Sequence, residues 1–124
     1  MVQYAARALD DSFGAISDPT RRGILERLGK GDASISELAD GFGMTLTGMK
    51  KHIAILEEAK LVSTVKTGRV RTCTLGPRKL EEAMDWIAAY RRMLEERMDH
   101  LAAFLEKTRP ADEPISINSK RKKR

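Results

Sequence analysis

The sequence predicts a mainly α fold carrying one β-hairpin, and three observations lead there. Apolar residues recur at helical spacing through most of the chain, with only three Phe, two Tyr and one Trp among them. Val62 to Thr67 and Val70 to Leu75 are rich in Val and Thr and are joined at Gly68, which reads as a hairpin. From Leu80 to Leu105 a heptad-like apolar series marks a helix too long to bury inside 124 residues.

The elements follow in order. Residues 2 to 17 read as a first helix, with Tyr4, Ala8, Phe13 and Ile16 as inward positions. Asp18 can cap a second helix and Pro19 suits its first turn, where no N–H is needed. Ile24, Leu25 and Leu28 form its apolar stripe, and Gly29 and Gly31 end it. Ser34 and Glu37 fit a capping box for a third helix over residues 35 to 42, stopped at Gly43. Thr45 can cap the fourth. Its residues Leu46, Met49, Ile53 and Leu56 make an inner face at spacings of three and four. Thr47, Lys51, Ala54 and Glu58 fall opposite, with Lys50 and His52 on the flanks.

Two short helices separated by about three residues are the helix-turn-helix arrangement. With the basic hairpin, whose tip carries Lys66, Arg69 and Arg71, the layout is that of a winged helix-turn-helix. The last helical pattern runs from Arg78 to Lys107; Leu80, Met84, Ile87, Leu94, Met98, Leu101 and Leu105 carry it, with Tyr90 replacing the interrupting Arg91. Pro110, Pro114 and a KRKKR terminus predict a disordered basic tail over 108–124, leaving one domain over 1–107.

Composition narrows the function. The net charge of +5 equals the charge of Lys120 to Arg124, so residues 1–119 sum to zero. Within them, 44–79 carry +6 and 81–119 carry −4, so one face is directed at a polyanion. No apolar run approaches the ~18 residues of a membrane span. Asp10 and Asp11 interrupt any signal-peptide pattern. The single cysteine, Cys73, excludes an internal disulfide framework and fits a reducing cytoplasm, the expected location. No nucleophile–base set, phosphate loop or evident carboxylate pair points to an enzyme.

DPTRRGILERL (18–28), SISELADGFGMT (34–45), KKHIAILEEAKLV (50–62) and the TGRVR turn (67–71) resemble, in order and distance, the ArsR/SmtB family of bacterial transcription factors. The resemblance spans residues 9–107. It implies a homodimer, formed by the first and last helices, that binds an inverted-repeat operator in double-stranded DNA and acts as a repressor. Phe13, Met84, Ile87, Tyr90, Leu94, Met98, Leu101 and Leu105 are the expected dimer residues. Thr47, Gly48, Lys50 and Lys51 are the expected base contacts; Thr45, His52, Lys66, Arg69 and Arg71 the phosphate contacts. Arg21 and Arg22 are further candidates, although DPTRR can equally serve folding.

Some members of that family sense metals through a Cys-x-Cys box on the third helix, where this chain reads ISELADGF, without a thiol. Others use Asp and His on the last helix. Here His100 has Glu96 one turn away and Asp99 beside it, which reads as a surface salt-bridging cluster, the alternative being a three- or four-ligand zinc site assembled from two copies across a dimer. No metal and no cofactor are expected. Cys73 reads as a small core residue, the alternative being a redox thiol activated by Arg71 and Lys66. Trp86, Tyr90, Met93 and Met98 read as core, the alternative being a seat for an unidentified small-molecule effector. Leu46, Gly48, Lys50 and Lys60 depart from common family residues, so the DNA sequence read by relatives does not transfer. Two competing readings stand beside this one: a constitutive architectural DNA-binding protein, and a helical protein–protein adaptor.

Overall fold

A computed structural model describes the backbone of residues 2–109 and the side chains of 6–109. The chain divides into two compact units, residues 1–86 and 87–124. The first holds α1 (Val2–Ile16), α2 (Pro19–Leu28), β1 (Ala33–Ser34), α3 (Ile35–Gly41), α4 (Leu46–Glu58), β2 (Val62–Thr67), β3 (Val70–Leu75) and the start of α5 (Glu81–Thr108).

Local chemistry sets the helix ends. Asp18 accepts from the Arg21 amide at 3.1 Å and Pro19 opens α2. That amide bond is the main reason the Asp18 carboxyl titrates below its ordinary range. Ser34 and Glu37 form the expected reciprocal box: Glu37 N donates to Ser34 Oγ at 3.0 Å, and Ser34 N donates to Glu37 Oε1 at 2.8 Å. Such a cap is worth about 1 kcal/mol. After α3, Gly43 takes the left-handed conformation and Met44 N returns to Ala39 O at 2.9 Å, closing the turn.

The core lies where α2, α3, α4 and the sheet meet. Ile24, Leu38, Met49, Ile53, Leu56 and Cys73 are its largest fully buried side chains. Each large aliphatic side chain contributes roughly 1.5–3 kcal/mol by leaving water. The sheet is antiparallel, in the order β1-β3-β2. Cys73 pairs with Ala33 on one side and Thr64 on the other, so β3 is its central strand. The β2–β3 turn has two residues. Gly68 takes φ +64° and Arg69 stays at negative φ, the Gly-first pattern that matches strand twist.

Five details differ from the sequence reading. β1 was not anticipated: two residues without a strand pattern pair only because β3 lies beside them. Among the described side chains of α1 the buried ones are Ser12 and Ala15, whereas Ala8, Phe13 and Ile16 are half-buried. Small side chains there let α1 approach α4 closely. Leu46 is 44% exposed, because the first turn of α4 projects past the core toward the hairpin. Leu75, on the same strand face as buried Cys73, is exposed at the strand end. Finally, α5 starts at Glu81, not Arg78. Leu80 adopts φ 63°, and the Glu81 carboxylate accepts from Arg78 Nε at 3.1 Å and Lys79 N at 3.0 Å. Those bonds hold the chain in a turn and exclude Leu80 from the helical series.

The second unit is described as the remainder of α5. The helix has 28 residues, about 42 Å at 1.5 Å per residue. Ion pairs on its surface include Arg91–Glu95 at 3.4 Å. Leu94, Met98, Leu101 and Leu105 are each about half exposed. The Tyr4 side chain and nearly all of the expected tail lie outside what is described; Thr108 belongs to the helix.

Lys60 and Leu80 are the described non-glycine residues in left-handed backbone. For an L-residue that conformation costs ~1–2 kcal/mol. Lys60→Gly should therefore raise stability by about 0.5–1 kcal/mol after allowing for the looser unfolded chain. Urea melts at neutral pH check this, and a lower midpoint would contradict it.

Candidate nucleic-acid interface

Helices α3 and α4 and the turn over 42–45 form the helix-turn-helix. Burial of Met49, Ile53 and Leu56 fixes how α4 is rotated, and the rotation decides which side chains face outward. Thr47, Lys50 and Lys51 are exposed, with Lys51 one turn after Thr47 on the same side. Thr45 is the N-cap: its hydroxyl accepts from Gly48 N at 3.0 Å. Gly48 is half-buried against Thr45 and Met44.

The hairpin brings the basic tip beside this helix. A cleft of about 330 Å³ separates them, lined by Lys50, Lys66, Arg69 and Arg71, with Ser34, Ser36 and Leu46 at its edge. Lys50 thus belongs with the three hairpin cations, whereas Lys51 is not among the residues lining that cleft. The two adjacent lysines are separated by about 100° around the helix. Ser34 and Ser36 were not singled out as site residues. The signal for Ser34 was its capping box, which also places its segment at the cleft.

His52 sits differently from the lysines. Its side chain is only 20% exposed, with Asp18 4.0 Å from Nδ1. Arg21 Nη1 lies 3.1 Å from Nδ1. A guanidinium only donates, so Nδ1 accepts and the ring proton resides on Nε2. The same Arg21 donates to Ala15 O at 2.9 Å and Gly14 O at 3.0 Å, and Arg22 donates to Ile16 O at 2.7 Å. The arginine pair of DPTRR therefore satisfies the last carbonyls of α1 and ties α1 and α2 to α4.

Of the expected dimer residues, Phe13 packs edge to face on Trp86, with ring centroids 6.0 Å apart. Met84, Ile87, Tyr90, Leu94, Met98, Leu101 and Leu105 lie along α5 and are all substantially exposed. Among the described residues no group of three His, Cys, Asp or Glu is arranged to hold a metal ion. No described helix is long and apolar enough to cross a membrane.

Comparison with known proteins places this geometry. A family model described as a helix-turn-helix domain matches residues 16–65. The transcriptional repressor SdpR of Bacillus subtilis (strain 168) is 32% identical over 79 residues, covering 64% of this chain and 88% of the relative. A crystal structure of an ArsR family transcriptional regulator is 40% identical with a TM-score of 0.68, covering 73% of this chain and 93% of that one. The chain belongs to the ArsR family of transcriptional regulators. Its helix-turn-helix is a DNA-binding domain. The homodimeric winged helix-turn-helix DNA-binding domain of a Mycobacterium bovis protein shares the fold at 20% identity, with a TM-score of 0.56 over 77% of this chain and 85% of that one.

In this ArsR-family chain the lone thiol is a core group. Cys73 is fully buried, and its pKa is pushed up to about 11, first by burial and next by the charge of Glu57, with Arg71 acting in the opposite direction. The activated-thiol alternative is thereby reversed: desolvation outweighs the nearby guanidinium. Cys73 should resist a disulfide reagent in the native protein near pH 8 and react promptly in urea. A fast native reaction, followed by absorbance of the released thiol, would contradict this placement.

Proposed function

We propose that this regulator is a homodimeric repressor that reads an inverted-repeat operator through α4 and grips the flanking backbone with its hairpin. One observation carries the reading: with its inner face locked in the core, α4 exposes Thr47 and Lys51 on its outer side and places Lys50 in the basic cleft beside the hairpin. Thr47 and Lys51 then face base edges in the major groove, with the Gly48 backbone between them. Lys50, earlier grouped with the base contacts, shares the cleft with Lys66, Arg69 and Arg71 and fits a phosphate better. Thr45 and His52 flank the helix as further phosphate donors, His52 through Nε2–H.

Dimerisation is assigned to α5. Leu94, Met98, Leu101 and Leu105 form a seam at spacings of three and four that a second helix would cover. The homodimeric M. bovis relative and the repressor SdpR support the assembly and the sign of regulation. A two-fold dimer explains why an operator would be an inverted repeat. Lys120 to Arg124 would add sequence-independent affinity in the cytoplasm, where the duplex is found.

Selection of bound sequences from random DNA tests the reading as a whole. Helix and hairpin should respond differently. Lys51→Ala should cost ~1–3 kcal/mol of discrimination at one position per half-site. Arg69→Ala should weaken all sequences about equally and lower the salt slope by roughly one unit per chain. Binding curves on operator and scrambled DNA at several salt concentrations decide it, and the opposite pattern would exchange the two roles.

Leu94→Asp and Leu101→Asp should each place an unpaired charge in the seam, costing several kcal/mol of association. Sedimentation should then find monomer and weak operator binding. A persisting dimer would move the interface elsewhere.

A further inference from the structure

One polar chain joins the end of α4 to the hairpin and is not explained by packing. Glu57 lies in the last turn of α4, and Thr64 and Arg71 sit on adjacent strands β2 and β3. Thr64 Oγ1 donates to Glu57 Oε2 at 2.7 Å. The same hydroxyl accepts from Arg71 Nη1 at 3.0 Å. A hydroxyl has one proton to give and lone pairs to accept with, so these two bonds use it in one sense only. The carboxylate orients the hydroxyl, and the hydroxyl orients the guanidinium. One N–H of Arg71 is thereby committed, and the remaining donors are available to the cleft that Arg71 lines with Lys50, Lys66 and Arg69.

The arrangement is open to solvent, so as an element of stability it contributes little. Its geometric effect is larger. An unrestrained arginine at a hairpin would lose rotamer freedom on meeting a phosphate; one already held loses less. Because the restraint originates on α4, it also ties the cleft's far wall to the helix that reads bases.

We infer that Glu57 and Thr64 are positioning residues for DNA binding: through Arg71 they fix the hairpin's phosphate grip in register with α4. The inference rests on the proposed function and adds two residues that touch neither base nor phosphate.

The test uses the full-length chain, duplex DNA carrying its selected operator, and scrambled duplex as the control. Thr64→Val keeps the branched strand residue and removes both bonds. It should lower operator affinity on the order of 5- to 10-fold, as expected for loss of one oriented charge-assisted contact. It should also lower the salt slope, as Arg71→Ala should. Combined with Arg71→Ala, it should add almost nothing, since both remove one interaction. Glu57→Ala should behave like Thr64→Val. Glu57→Gln retains an oxygen acceptor and should bind at least as tightly as wild type. Thermal melting of the free variants should stay near wild type, which a merely structural role would not predict alongside weaker binding.

Wild-type affinity and slope in Thr64→Val, or full additivity with Arg71→Ala, would overturn the inference while leaving DNA recognition by α4 in place. A loss in Glu57→Gln as large as in Glu57→Ala would also overturn it, since charge and not orientation would then matter. Absence of DNA binding by the wild-type chain would overturn the proposed function as well.

Discussion

The rotation of α4 about its own axis is the constraint on which the interface depends. Met49, Ile53 and Leu56 are buried almost completely, and none can turn outward without opening a cavity. Truncating such a residue typically costs ~2–5 kcal/mol. That cost holds Thr47 and Lys51 on the outer face. The neighbouring elements brace the same helix from both ends. Thr45 caps its start, and Arg21 reaches across from α2 to His52 near its middle. At its far end the Glu57 carboxylate is bonded to the hairpin.

The charge distribution complements this rigidity. Residues 1–119 carry no net charge, so attraction to a polyanion depends on how the charge is divided. Of the cations in residues 44–79, Lys50, Lys66, Arg69 and Arg71 share one cleft between α4 and the hairpin, and the acidic excess lies along the sequence of α5. Cations converging on one cleft act within a Debye length of each other and of a phosphate, about 8–10 Å at ordinary salt. Under the proposed function they supply affinity and orientation, and specificity falls to the few outward groups on α4, because base edges and not phosphates carry sequence information.

Some departures from common family residues acquire a physical meaning. Lys60 occupies a left-handed position where glycine is the unstrained residue. Gly48 lies against Thr45 and Met44 at the start of α4, where a Cβ would come 3.2 Å from the Thr45 hydroxyl. Leu46 leaves the inner face and borders the basic cleft. The two lysines after Met49 divide between the cleft and the outer face. These positions lie at the start of α4 and beside the cleft, while the buried face of α4 beneath them is a regular apolar stripe.

The sequence by itself determined the elements and their chemistry. The capping residues Asp18, Ser34 and Thr45, the stripe Met49–Ile53–Leu56, and the Gly68 turn act over a few residues, and short-range geometry is written in residue order. Both hairpin strands were legible to their end residues for the same reason. What lay beyond the sequence was every relation between residues distant along it. Strand β1 exists because Ala33 and Ser34 meet β3, forty residues away. Cys73 is buried because the strands and core around it exclude water, although basic residues flank it in sequence. The grouping of Lys50 with the hairpin, the Arg21–His52 bond and the Glu57–Thr64–Arg71 chain likewise belong to tertiary structure alone. Hydrogen bonds and desolvation depend on distances of a few ångströms, and only packing brings separate segments that close.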